Sequence, residues 1–265
     1  MSHPETEGLK GSIIKYWNGA GLCSFDSSTS IKDPNIASCD NYVESRLLEN
    51  ILTQDQEKYV AGIDVGAGLG RFTVIMANHC RHVYAIEPAT RLFEKLKNNC
   101  KNLMNVEVIN TDLETFNIKT RYDLAIVSGI LYLYPDEMVI SFLKDIVNKM
   151  NKNGTLVIRD FIVNSGVRQI PSKYIDGGLC YYRDSYYWGG AAKTLGLNQI
   201  NMFQCSPCYT PIYMNFLAKL HLTTLVGRQS VKDYLVKRLE SKQRRRIITF
   251  CNQEIITVFM VMKKI

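Results

Sequence analysis

The sequence predicts an α/β fold: a seven-stranded, mostly parallel, doubly wound sheet with an N-terminal helical lid and a helical insertion before the last strand. Three observations carry this expectation. Short apolar runs alternate with amphipathic helical patterns along most of the chain, which is the rhythm of βαβ units. The first run breaks at a glycine-rich turn and re-enters a helix, a corner suited to binding a nucleotide. Finally, 265 residues with 46% hydrophobic and 22% charged content can hold one large globular domain with an appendage.

Taken in order, the polar start of the chain is interrupted by Ile13-Ile14-Lys15-Tyr16-Trp17, and residues 24–41 read as loop from their Ser, Asp, Asn and Pro content. A helix is expected from Tyr42 to Leu52, with Val43, Leu47, Leu48, Ile51 and Leu52 on one face. The run from Val60 to Val65 is apolar apart from Asp64, as a strand covered on both faces should be. Gly66, Gly68 and Gly70 then permit tight backbone angles and close approach of a ligand. Counted from Gly66, the third glycine of a dinucleotide fingerprint would fall at Arg71. The pattern is therefore D-x-G-x-G-x-G, not G-x-G-x-x-G.

A helix over 71–79 leads to the strand His82–Ile86, which ends in Glu87-Pro88. A carboxylate there can accept hydrogen bonds from the two vicinal hydroxyls of a ribose, so Glu87 is a binding candidate. A helix over 89–103 and a strand over 106–110 precede Thr111-Asp112-Leu113. The strand Tyr122–Ser128 opens onto Gly129–Tyr134, and a helix starts at Pro135 with Asp136 and Glu137 at its positive end. Strand five, Thr155–Val163, follows the turn Asn153-Gly154 and carries Arg159-Asp160 inside an apolar run. Two charges there are costly unless paired or functional. Residues 164–180 read as a loop long enough to cover a site. Beyond them come Tyr181–Tyr187, a helix over Trp188–Leu197, a strand near Gln199–Gln204, and the last strand Gln253–Lys263.

These motifs resemble, in order, those of the class I S-adenosylmethionine-dependent methyltransferases, over roughly residues 60–200 and the final strand. The resemblance rests on Asp64 ahead of the three glycines, Glu87 at its strand end, Asp112-Leu113, Tyr122-Asp123-Leu124, and Asn153-Gly154, where Thr155 replaces a second glycine. It implies S-adenosylmethionine as cofactor, S-adenosylhomocysteine as product, and a binding set of Asp64, Gly66, Ala67, Gly68, Gly70, Arg71, Glu87, Pro88, Asp112, Leu113 and Ser128. Asp112 would accept from the adenine amino group. Tyr16 and Trp17 have two readings side by side, a lid over the cofactor or a helix merely packed on the domain.

A sulfonium is already an activated methyl donor, so such an enzyme must mainly align the acceptor and exclude water; a base is needed only for a protonated acceptor. Asp160 is the candidate base or orienting carboxylate, Tyr132 and Tyr134 the pocket wall, and Arg159 or Arg183 the clamp for an anionic group. The tyrosines of 181–187 suggest an anionic or polar substrate wall.

The expected acceptor is an O or N atom of a small molecule such as a metabolite, natural product or sugar. The alternative is an RNA- or protein-modifying enzyme docking through the basic residues of 237–246; a catalytically silent cofactor-binding module is the third reading. Ser128-Gly129-Ile130-Leu131 stands where amino-directed nucleic-acid methyltransferases carry Asn/Asp-Pro-Pro-Tyr/Phe, which weighs against base-amino methylation. The expected division is a lid over 1–41, the cofactor-binding core over 42–204, an insertion over 205–252 and the final core strand over 253–265. The net charge of +7 leaves a nucleic-acid partner open without arguing for it. No apolar run approaches a membrane span of ~20 residues, and MSHPETEGLKGS lacks a signal-peptide core, so a cytoplasmic protein with reduced thiols is expected. Cys205-Ser206-Pro207-Cys208 is the one close cysteine pair, with no second pair to complete a zinc site, and no metal is expected.

Overall fold

Because side chains alternate along a strand, an uninterrupted apolar run serves two cores at once. The computed structural model, which describes residues 4–21, 24–26, 33–54, 59–117, 120–172, 174–205, 223–244 and 255–265, shows this directly. β1 (Tyr59–Val65), β2 (Cys80–Ile86), β3 (Val106–Ile109), β4 (Tyr122–Ser128) and β5 (Met150–Val163) pair in parallel in the order β3-β2-β1-β4-β5. Ala125, Val127, Leu156 and Ile158 face one core, shared with α5 (Asp136–Lys149) and α6 (Ser185–Thr194). Their neighbours Leu124, Ile126 and Val157 face the other, shared with α2 (Pro34–Thr53), α3 (Arg71–His79) and α8 (Gln229–Arg244). The sheet continues through β9 (Ile255–Lys264), antiparallel to β5, and β8 (Leu197–Gln204), antiparallel to β9. α1 (Pro4–Gly19), α4 (Thr90–Cys100) and the short α7 (Thr223–Val226) complete the described helices.

The mostly parallel, doubly wound sheet is the expected one, but three elements differ from the sequence reading. α2 begins at Pro34 and so absorbs much of the expected loop over 24–41. Asp33 caps it by accepting from the N–H groups of Asn35 and Ile36, Pro34 sits in its first turn, and Ile36, Ala37 and Cys39 are buried. The expected loop over 164–180 contains a hairpin, β6 (Val167–Pro171) against β7 (Leu179–Arg183), which among the described residues adds two strands to the seven expected. β7 pairs in parallel with the end of β5, Ile162 beside Arg183, so Tyr181–Arg183 belong to the sheet. Lastly, β5 starts at Met150, before the Asn153-Gly154 turn motif.

The basic segment is partly a packing element. Val236 and Leu239 are buried, the Tyr42 hydroxyl donates to Asp233 Oδ1 at 2.7 Å, and Lys237 and Arg238 face solvent. Arg245, Arg246 and Cys208 lie outside the described residues, as does much of the expected insertion over 205–252. Among the described residues no helix is long and apolar enough to cross a membrane.

Candidate cofactor site and acceptor wall

The carboxyl ends of β1, β2 and β4 converge on one cavity, the place where open α/β sheets bind ligands. At the end of β1 the chain turns through Gly66, Gly68 and Gly70, all at positive φ. The N–H groups of Gly66 and Ala67 both donate to the Ile86 carbonyl at 3.0 Å, fastening the turn to β2. Gly70 is the helix cap of α3 at φ +86 and stands against α4 instead of lining the cavity. Asp64 is buried beneath the turn and accepts from the Thr73 hydroxyl at 2.6 Å; burial pushes its carboxyl up to about 6, against that bond and Arg71.

Glu87 is held from two sides. One oxygen accepts from the Gly68 N–H at 2.8 Å and the other from the Ala89 N–H at 2.9 Å, leaving a further lone pair on each for a ribose hydroxyl. Burial pushes its carboxyl up to about 7, with the two backbone donors opposing. Ribose hydroxyls donate to the ionised form, so affinity for S-adenosylhomocysteine should rise as pH climbs through about 7. A calorimetric titration at pH 6 and pH 7.5 should show a several-fold gain. Glu87→Gln, which cannot ionise, should flatten that dependence; an unflattened curve would assign it to another group.

Further along, Asp112 Oδ1 accepts from the Thr115 N–H at 2.8 Å and hydroxyl at 2.6 Å, and Leu113 is buried beside it. Pro88, Asp112, Leu113 and Ser128 all line the cavity, as do Ala67, Arg71, Tyr132 and Arg159. Ile13, Ile14 and Trp17 of α1 cover it. That helix is tied down by the ion pair Lys10–Glu114 and by Asn18, which accepts from the Arg91 N–H at 3.0 Å. Tyr16 stands behind Trp17, edge-on to it at 5.1 Å between ring centroids, and does not line the cavity.

Arg159 and Asp160 point to opposite faces of β5 and do not pair with each other. Arg159 is buried and donates to Glu44 Oε1 through Nε (3.1 Å) and Nη2 (2.6 Å); Arg71 Nη2 lies 2.6 Å from Glu44 Oε2. The expected anion clamp at Arg159 is therefore already engaged by a carboxylate of α2. Arg183 is also engaged. It is 1% exposed, donates to Asp136 Oδ1 at 2.7 Å and to the carbonyls of Leu131, Tyr134 and Tyr181, and does not line the cavity. These bonds tie β7 to the turn that carries Tyr132, so the guanidinium expected to clamp an anion is spent on this chain's own acceptors.

Tyr132 and Phe161 line the cavity, and Tyr174 and Tyr182 pack against them. Tyr132 stands edge-on to Phe161 (5.0 Å) and stacked on Tyr182 (6.1 Å), while Tyr174 stacks on Trp17 at 5.8 Å and meets Tyr132 at 5.9 Å. Asp160 lies near Tyr132 and Tyr182 but does not line the cavity; it is 1% exposed, its Oδ1 accepting from the Phe161 N–H at 2.8 Å. Burial pushes its carboxyl up to about 7, against that N–H, Arg183 and Arg159. Phe161, Tyr174, Lys10 and Glu44 were not singled out by the sequence reading. Glu44 was detectable, because Asp40 and Glu44 share the helical face of Leu47, Leu48 and Ile51.

Residues 7–177 match the family described as AdoMet-dependent proline di-methyltransferases. The chain belongs to that family. This methyltransferase uses S-adenosylmethionine, and the cavity fits it: its lining offers the carboxylates of Glu87 and Asp112, the guanidiniums of Arg71 and Arg159, and aromatic faces suited to a sulfonium. A solved S-adenosylmethionine-dependent methyltransferase from Leishmania major is similar over 97% of this chain and 83% of its own, at 15% identity and a TM-score of 0.65. The 1,6-didemethyltoxoflavin-N1-methyltransferase of Burkholderia thailandensis is similar over 83% of this chain and 78% of its own, at 13% identity and a TM-score of 0.55. A curated rRNA adenine N-6-methyltransferase of Lysinibacillus sphaericus is 28% identical over 102 residues, 37% of this chain and 41% of that protein. The methyltransferase thus spans less than half the length of that relative.

Proposed function

We propose that this methyltransferase acts on an amine nitrogen, with a proline-type secondary amine as the first acceptor to test. The observation that carries this is the acceptor wall. It offers the π-faces of Tyr132 and Phe161, with the carboxyl of Asp160 buried near them, while Arg159 and Arg183 are both held in ion pairs with acids of this chain. An anionic acceptor would meet negative ring faces there, whereas an amine gains positive charge during transfer and is stabilised by those faces. The family's description supports an amine in the same sense.

The cofactor supplies an activated methyl group on a sulfonium; this chain supplies placement, water exclusion and a proton acceptor. Tyr132 and Phe161 orient the acceptor. Asp160, near Tyr132, takes up the proton that an ammonium must release before its nitrogen can react. Ionisation of Asp160 through about 7 gives an activity that rises with pH. Asp160→Asn should lower kcat by ~10²-fold or more while leaving S-adenosylhomocysteine affinity within twofold. Unchanged turnover on the best amine would remove the role. The enzymatic assay should compare proline, prolyl peptides and hydroxyl acceptors of similar size; preference for a hydroxyl would overturn the amine reading.

A further inference from the structure

α2 places two acids one helical turn apart, Asp40 and Glu44, both buried. Glu44 bridges Arg71 and Arg159, and both arginines line the cofactor cavity. The other cation on the cavity wall, Lys10, is paired with Glu114 near Asp112. The arginine side is therefore where the cofactor's carboxylate finds positive charge. Asp40 makes no comparable bridge, and its Oδ1 has no hydrogen-bond partner among the described residues. It faces Glu44 on its own helix, Arg71 at the start of α3, Arg159 on β5 and the Cys205 thiol after β8.

Two carboxyls sharing a buried site cannot both ionise at low cost. Glu44 has the stronger claim. Burial pushes it up, but Arg159 and Arg71 outweigh burial and hold it below the usual carboxylate range. Asp40 goes the other way: burial first, then Glu44, push it up to about 8, with the arginines opposing. Near neutral pH the cluster thus sets two guanidiniums against one carboxylate, and the surplus charge borders the cavity.

We infer that Asp40 is a positioning residue that stores a proton, keeping the Arg71–Glu44–Arg159 cluster one charge positive for the cofactor's carboxylate, so that cofactor binding and this proton are linked. The inference rests on the cofactor assignment above. A bound carboxylate favours the protonated form of Asp40. At pH values where the free protein has lost that proton, binding must take it up again, and affinity falls as pH rises through about 8.

The test is calorimetric titration of the full-length protein at pH 8.5 in two buffers of different ionisation enthalpy, which counts protons directly. S-Adenosylhomocysteine and methylthioadenosine, which lacks the amino-acid end, are compared on wild type and Asp40→Asn. The wild type should take up a larger fraction of a proton with S-adenosylhomocysteine than with methylthioadenosine. Asp40→Asn should lose that excess, and its affinity should fall less than the wild type's between pH 7 and pH 9. The ligand's own amino group titrates alike against both proteins and cancels in the comparison. Equal proton counts for the two ligands on wild type would overturn the inference, even if the variant failed to fold; so would an unchanged excess in Asp40→Asn. No binding of S-adenosylhomocysteine at all would sink the cofactor assignment as well, and so be told apart.

Discussion

Glu44→Ala should lower the unfolding free energy by about 3–5 kcal/mol, because it strips the counter-ion from two buried guanidiniums at once. Arg71 and Arg159 are 9% and 8% exposed, so neither can simply turn its charge to water. The deficit should depend on pH. Asp40 is protonated below about 8 in the intact protein, and with Glu44 gone it can ionise and replace part of the lost charge. The loss should therefore shrink in Glu44→Ala relative to a variant that also carries Asp40→Asn. Urea unfolding of both, followed by far-UV circular dichroism, would decide this. A loss below about 1 kcal/mol would place the cluster among solvated surface pairs, which contribute that little.

Gly70→Ala should cost about 2–5 kcal/mol for an unrelated reason. Gly70 holds φ +86, where a residue with a Cβ is disfavoured by about 1–2 kcal/mol. The added methyl would also lie 2.5 Å from Leu96 Cδ1 and 3.2 Å from Cys100 Sγ, both on α4. Overpacking of this kind typically costs about 1–3 kcal/mol. By contrast, a Cβ at Gly68 meets nothing within 4 Å, so Gly68→Ala should bear only the backbone term. Thermal unfolding of the two variants should rank them in that order; equal losses would mean that α4 yields easily.

The fold was legible wherever local periodicity and tertiary burial agree. The strands over Ala61–Val65 and Tyr122–Ser128 are largely apolar because both faces are covered, and their glycine or polar ends mark the cavity. It was illegible where capping or pairing overrides composition. Asn35, Ser38 and Asp40 look like loop residues, yet Asp33 and Pro34 start a helix there and Ile36 and Cys39 bury its face. The hairpin of β6 and β7 has the turn Asp176-Gly177-Gly178 between its arms, but nothing local revealed that Arg183 would reach the carbonyls of Leu131 and Tyr134. For the same reason the charges of Arg159 and Arg183 were visible in the sequence and their partners were not. Glu44 is separated from Arg159 by more than a hundred residues, and Asp136 from Arg183 by nearly fifty.

The tie from Arg183 to the 131–134 turn has a consequence for acceptor choice. Asp64, Glu87 and Asp112 line the cavity together with Tyr132 and Phe161, against which Tyr174 and Tyr182 pack. Arg183 fastens the hairpin to the turn bearing Tyr132, so on the proposed reading the acceptor wall would move and vary as one unit. Substitutions confined to that unit would then alter acceptor choice and leave cofactor affinity in place.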